Sequence, residues 1–201
     1  MENRGLHPAD HLTSPFTSDR ERRLWFWALA VVVAIYSTLG VAGTLAEVLR
    51  ERNLWGALFV VGFLLVVAAI VGSALKRRPG RREIWVALGV TAVYGMVVVR
   101  MGIGPEERTH LFEYGLVAVL IYQALTERLQ HGRRVPAPAA LAVAATALLG
   151  WLDEGIQALL PNRVYDLRDV GVNALAGLMA IAASLALARA RRSDRIRGRF
   201  G

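Results

Sequence analysis

The chain has no cysteine, which removes disulfides, thiolate nucleophiles and cysteine-ligated metals from its chemistry and fits either side of a bacterial membrane. It has no RNP, helix-turn-helix or zinc-finger pattern, so a formal net charge of +8 does not lead to nucleic acid. The basic residues gather in short clusters beside apolar runs instead of lining one amphipathic helix. Clusters of that kind set topology and meet anionic lipid headgroups. No repeat of solenoid period is present. Pro79, Pro105, Pro136 and Pro161 all lie between the apolar runs, where a missing N–H interrupts no helix interior.

What remains is strongly apolar. Of 201 residues, 55% are hydrophobic and 20% charged, with a mean hydropathy of +0.40. A soluble domain scatters its charges, whereas here they punctuate runs at 24–49, 54–75, 84–101, 110–126, 139–160 and 172–188. Runs of about 17–25 residues match the hydrocarbon thickness at about 1.5 Å per helical residue. The pattern predicts an all-α, polytopic transmembrane helical bundle of six spans. Residues 1–23 read as a flexible cytoplasmic tail, 24–76 as two N-terminal membrane helices, 83–188 as a four-helix core and 189–201 as a basic cytoplasmic tail. The first run has a faint cleavage-like Val41-Ala42-Gly43, but its length and long preceding tail favour a retained anchor over a signal peptide.

Alternating the loops between two sides places eighteen Lys and Arg on one and six on the other. The richer side includes Arg20, Arg22, Arg23, Lys76, Arg81, Arg128, Arg133 and the C-terminal cluster; the poorer holds Arg50, Arg52, Arg100, Arg108, Arg163 and Arg168. The positive-inside bias then puts both termini in the cytoplasm. Trp25, Trp27, Trp55, Trp85 and Trp151 flank the runs as an aromatic belt, and Arg100 snorkels to the outer headgroups. Ala176, Ala180, Ser184 and Ala188 form a small-residue stripe suited to close helix packing.

Three stretches carry polar residues that a membrane span would otherwise exclude: PEERTHLFEYG, WLDEGIQALLPNR and VYDLRDVGVN. The alternating topology brings all three to the extracytoplasmic face. His110, Glu113 and Tyr114 share a helix face, Asp153 and Glu154 each reach Gln157, and Asp166, Asp169 and Asn173 repeat the spacing if the last helix starts early. An ionised carboxylate at the bilayer centre costs about 2.5–3.5 kcal/mol, so five acids here require partners or a polar pocket. Arg108, Arg163 and Arg168 are the available counter-ions. Blander readings stand beside this one: Asp169 and Asn173 as caps of the last helix, and Asp153–Glu154 as a helix-end pair at the water boundary. Glu113, about one turn inside an apolar run, fits a buried and partnered acid better than either.

Together these stretches resemble the VanZ-like family of bacterial membrane proteins. The resemblance rests on His110 with Tyr114, on Asp153, Glu154, Gln157, Pro161 and Arg163, and on Asp169, Asn173 and Gly177. It covers residues 84–188 and leaves the first two runs as an addition. It implies a link to low-level teicoplanin resistance, without a reaction. The polar chemistry suggests a pocket for an envelope lipid or lipid-linked glycan, with Glu113 or Glu154 as general base, His110 as its partner, and Asp153 and Asp169 completing the acid set. Arg163 would hold phosphate, with Arg108, Tyr114, Gln157 and Asn173 as further ligand contacts. Oxygen-rich His110, Glu113 and Asp153 could hold a hard cation, but their spacing is not diagnostic, and neither a metal nor another cofactor is expected. The competing reading is a non-catalytic protein whose polar cluster is a structural ion-pair network or a small-solute site.

Overall fold

A computed structural model gives the fold and describes residues 15–52, 54, 79–100, 105–160 and 165–200. All regular structure among them is helical, with no strand: α1 (Asp19–Glu51), α2 (Arg81–Arg100), α3 (Pro105–Gln130), α4 (Pro138–Gln157) and α5 (Leu167–Phe200). Two of these, α4 and the Leu167–Ile196 stretch of α5, are long and apolar enough to cross a membrane. The run expected as a second span, 54–75, lies outside the described residues apart from Leu54.

Helix ends follow local chemistry. Pro105 and Pro138 stand at the first positions of α3 and α4, where a fixed φ suits the helix and no N–H is missed. The C-terminus of α3 closes in a left-handed turn at Gly132 (φ 81°). There Arg133 N–H donates to the Arg128 carbonyl (3.2 Å) and Gly132 N–H to that of Leu129 (3.1 Å), the paired bonds of a Schellman stop.

Two expected boundaries move. The N-terminal tail ends at residue 18 in place of 23, because Ser18 caps α1: its Oγ accepts from Glu21 N–H at 3.0 Å and its carbonyl from Arg22 N–H at 3.1 Å. The basic segment 189–201 is not a separate tail, since α5 runs on to Phe200. Its charges have partners there: Arg191 pairs with Glu83, and Asp194 Oδ2 accepts from Glu83 N–H at 3.2 Å, capping α2.

α3 and α5 are the central pair. α3 packs on α1, α4 and α5, while α5 packs on α2, α3 and α4. Leu111, Tyr114, Val117, Ala118, Ile121 and Ala124 of α3 are buried. Close approach depends on small residues. A methyl group added at Gly115 would already touch Ala180 (3.5 Å) and one at Gly177 would press on Thr146 (3.2 Å). The small-residue stripe therefore works in its first half: Ala176 and Ala180 are buried, whereas Ser184 is half-buried and Ala188 exposed. Large apolar side chains, among them Phe26, Trp27, Trp85, Leu88, Leu148 and Trp151, face outward, while Glu21, Asp153, Glu154 and Asn173 are buried.

Trp25 departs from the expected belt. It turns inward and its indole donates to Glu21 Oε1 at 3.3 Å. Glu21 is fully buried and also accepts from the Thr17 N–H and hydroxyl, both at 2.7 Å, with Arg128 Nε at 3.3 Å. Beside it, Glu127 pairs with Arg20 at 3.0 Å and accepts from Ser18 Oγ at 3.1 Å. Burial works to raise the Glu21 pKa, but the Thr17 donors, the Arg128 charge and the Trp25 indole together hold it below 4.5. A depressed carboxylate stabilises the fold above its unfolded pKa and loses that contribution as pH falls through the lower folded value. Thermal unfolding in detergent is therefore expected to show an acid-side loss beginning below pH 4.5. Glu21→Gln should remove this pH dependence and cost about 2 kcal/mol at neutral pH. Parallel melts of the two proteins across pH check both.

Candidate functional site

At the opposite end of α3 from Glu127, three helices bring their polar residues together. Asp153, in the last turn of α4, has 0% of its surface exposed. Tyr114 of α3 donates its hydroxyl to Asp153 Oδ2 at 2.8 Å. His110, one turn earlier on the same face, places Nδ1 3.5 Å from that oxygen. The His110 and Tyr114 rings stack with centroids 5.8 Å apart and planes at 18°, which fixes the imidazole beside the carboxylate. Asp153 Oδ1 is buried without a hydrogen-bond partner among the described residues.

Glu154 is equally buried and ties the following loop: its Oε1 accepts from Gln157 Nε2 and its Oε2 from Asp166 N–H, each at 3.3 Å. These burials overturn the reading of Asp153–Glu154 as a helix-end pair at the water boundary. Asp166 is the cap of α5, its Oδ1 accepting from Arg168 N–H at 2.8 Å. The blander reading of Asp169 and Asn173 as caps of this helix is overturned, because the helix starts at Leu167 and Asn173 lies well inside it. Asn173 is fully buried, and neither amide atom has a partner among the described residues.

Asn173 reaches this interior because α4 carries Gly150 opposite it. A methyl group built on Gly150 would lie 2.6 Å from Asn173 Cβ and 2.9 Å from its Nδ2. Asp153 follows three residues on, about 5 Å along the α4 axis and on the same face. Thus the open Asp153 oxygen and the open Asn173 amide lie on one helix interface, separated by about one turn. Four donors or acceptors, including His110 Nδ1, are buried there without hydrogen bonds, a concentration that native interiors rarely retain without a ligand or bound solvent.

Glu113 is half-buried and lies in the electrostatic reach of His110 and Asp153; Glu154 senses Asp169, Asp153 and His110. The site is therefore a set of carboxyls around one imidazole, able to take hydroxyl or cationic donors and to pass protons. Among the described residues, no three His, Asp or Glu side chains converge in a metal-holding geometry. Arg108 lies within α3, Arg168 is exposed at the start of α5, and Arg163 lies outside the described residues.

One contributor escaped the sequence reading. Tyr36 of α1 donates its hydroxyl to the Leu149 carbonyl at 2.7 Å and lies within the field of Asp153, so α1 adds a wall to the site. Its signal was the Tyr36-Ser37-Thr38 triplet midway along an otherwise apolar run. Compared with known family models, curated proteins and solved structures, the chain matches none.

Proposed function

We propose that this is a VanZ-like protein of the bacterial plasma membrane, crossing it six times with both termini in the cytoplasm, whose extracytoplasmic polar pocket binds an envelope lipid or lipid-linked glycan. The observation that carries the proposal is Asp153: a buried carboxylate held on one oxygen by the Tyr114 hydroxyl, with His110 Nδ1 3.5 Å away, open on the other oxygen, and one turn from the open amide of Asn173. Sugar and glycerol hydroxyls donate and accept at once, which is what such a mixed array recognises. Membrane placement is supported by the outward apolar side chains and by the distance between the charged ends. His110 and Arg128 are eighteen residues apart on one helix, or about 27 Å, close to the hydrocarbon thickness of about 30 Å.

In a catalytic form of this reading, Asp153 stands beside His110, and the imidazole exchanges the proton with the ligand while Glu113 or Glu154 supplies the second acid–base group. The resemblance extends the proposal to teicoplanin resistance through an altered envelope component. The rival reading, a structural network, draws on the same Tyr114–Asp153 bond.

Labelling and lipid analysis separate them. Single cysteines introduced at His110 and Arg163 should both react with an impermeant reagent applied from outside; opposite compartments would end the shared pocket. A Glu113→Ala/Glu154→Ala strain should differ from wild type in envelope lipid profile and teicoplanin sensitivity. Identical profiles and identical resistance, with the protein present at normal level, would refute ligand binding there.

A further inference from the structure

A second site lies at the other end of the bundle, where α3 turns into α4. Pro15, Leu125, Arg128, Arg133, Arg134 and Leu141 line most of an open hollow of about 620 Å³. Three guanidinium groups and an apolar wall face the same space, the pairing that an amphiphile with an anionic head requires.

The arginines are not equivalent. Arg128 is fixed: its Nη2 donates to the Pro15 carbonyl at 2.6 Å and its Nε lies 3.3 Å from Glu21, so much of its charge is answered internally. Arg133 and Arg134 are exposed and have no ionic partner among the described residues. Their backbone is nevertheless held. The Schellman stop at Gly132 sets where Arg133 leaves α3, and Ala137, just beyond Pro136, is kept at φ 42°, a left-handed conformation costly for a residue with a Cβ. A short loop with both ends constrained keeps the two guanidinium groups beside Leu125 and Leu141, instead of letting them disperse into solvent. The neighbouring carboxylates, Glu21 and Glu127, are each engaged by their own partners, so they leave the outer arginines free to attract an anion.

We propose that this hollow binds the phosphate of an anionic phospholipid, with Arg133 and Arg134 on the headgroup and the first acyl carbons against Leu125 and Leu141. The proposal rests on the membrane placement given above and concerns the opposite face from Asp153. An occupant bridging the loop to α1 through Arg128 would also hold the Pro15–Glu21 segment in place, so lipid binding and the α1–α3 contact would reinforce each other.

The test uses the full chain in detergent, titrated with dioctanoyl phosphatidylglycerol, dioctanoyl phosphatidylcholine and inorganic phosphate while thermal unfolding is followed. Phosphatidylglycerol is expected to raise the melting temperature saturably, and the effect to shrink with added salt. Arg133→Gln/Arg134→Gln should melt normally without lipid but bind phosphatidylglycerol about 25-fold more weakly, two contacts of about fivefold each. Equal affinity in the double variant, or stabilisation by phosphatidylcholine to the same degree, would overturn the proposal. Inorganic phosphate acting at the same concentration as the lipid would also overturn it, by assigning the site to the free anion. Because the Arg133→Gln/Arg134→Gln variant reports on this end alone, a failed envelope-lipid test at Asp153 with variant-sensitive phosphatidylglycerol binding intact would refute the earlier reading alone.

Discussion

Gly150→Ile is expected to prevent α4 from docking on α5, leaving a protein that aggregates on mild heating in detergent while wild type stays monodisperse. The reason is backbone geometry. Any side chain at 150 begins with a Cβ 2.6 Å from the Cβ of Asn173, closer than real Cβ contacts allow, and the atom it meets is next to backbone, not the free end of a flexible chain. The helices would have to separate, and with them Thr146 from Gly177 and Glu154 from Asp166. Overpacking at ordinary core positions costs about 1–3 kcal/mol. A branched side chain here adds further clashes beyond Cβ, so about 3 kcal/mol is the expected scale, a large share of a marginal stability. Gly150→Ala should fall near the low end of that range. Gly177→Ala, whose added carbon meets the Thr146 methyl at 3.2 Å, the Thr146 Cβ at 3.3 Å and the Ala118 Cβ at 3.5 Å, should cost less still. If Gly150→Ile and Gly177→Ala unfold at the same temperature, the packing account of this interface is wrong.

That interface also shows where sequence was sufficient and where it was not. Five of the six apolar runs announced described helices, and the sequence reading had placed the His110, Asp153 and Asp166 stretches at one end, where the Tyr114–Asp153 and Asp166–Glu154 bonds join them. Boundaries failed where the deciding partner is remote. The basic C-terminal segment stays helical because Glu83 and the start of α2 meet it more than a hundred residues earlier in the chain. The start of α1 was readable in principle, since Ser18-Asp19-Arg20-Glu21 has the spacing of a capping box, but its polar composition resembled a tail. Asn173 was read as a ligand contact, with a helix cap as the blander alternative. An asparagine near a helix start fits a cap, and only the missing side chain at Gly150 reveals that it is drawn into the interior. The Glu21 network had no sequence signal beyond scattered charges, because Arg128 reaches it across the bundle.

Asp153→Asn is expected to abolish envelope-lipid modification and teicoplanin protection while leaving the fold nearly intact. The substitution keeps the side-chain volume, and the amide oxygen still accepts from Tyr114, so the 2.8 Å bond survives and the melting temperature should move little. What changes is the charge. His110 loses the anion 3.5 Å from its Nδ1, and a ligand hydroxyl meets an amide where a carboxylate acceptor stood. Losing one side of a buried charge-assisted contact costs about 2–5 kcal/mol, and the midpoint corresponds to a ligand affinity roughly 300-fold weaker. A complemented strain carrying this variant should therefore match the strain lacking the protein in lipid profile and drug sensitivity, with the protein present at wild-type level in the membrane. Tyr114→Phe provides the contrast: it removes a neutral donor, leaves the carboxylate charged, and should cost about 1 kcal/mol of stability with only partial loss of phenotype. A structural network inverts this ranking. Its charge serves the fold, so Asp153→Asn would lower the melting temperature by more than Tyr114→Phe, and whatever phenotype survived would track the amount of folded protein. Melting temperatures and complementation of these two variants, measured side by side, therefore decide between a pocket that uses its buried charge on a ligand and one that uses it on itself.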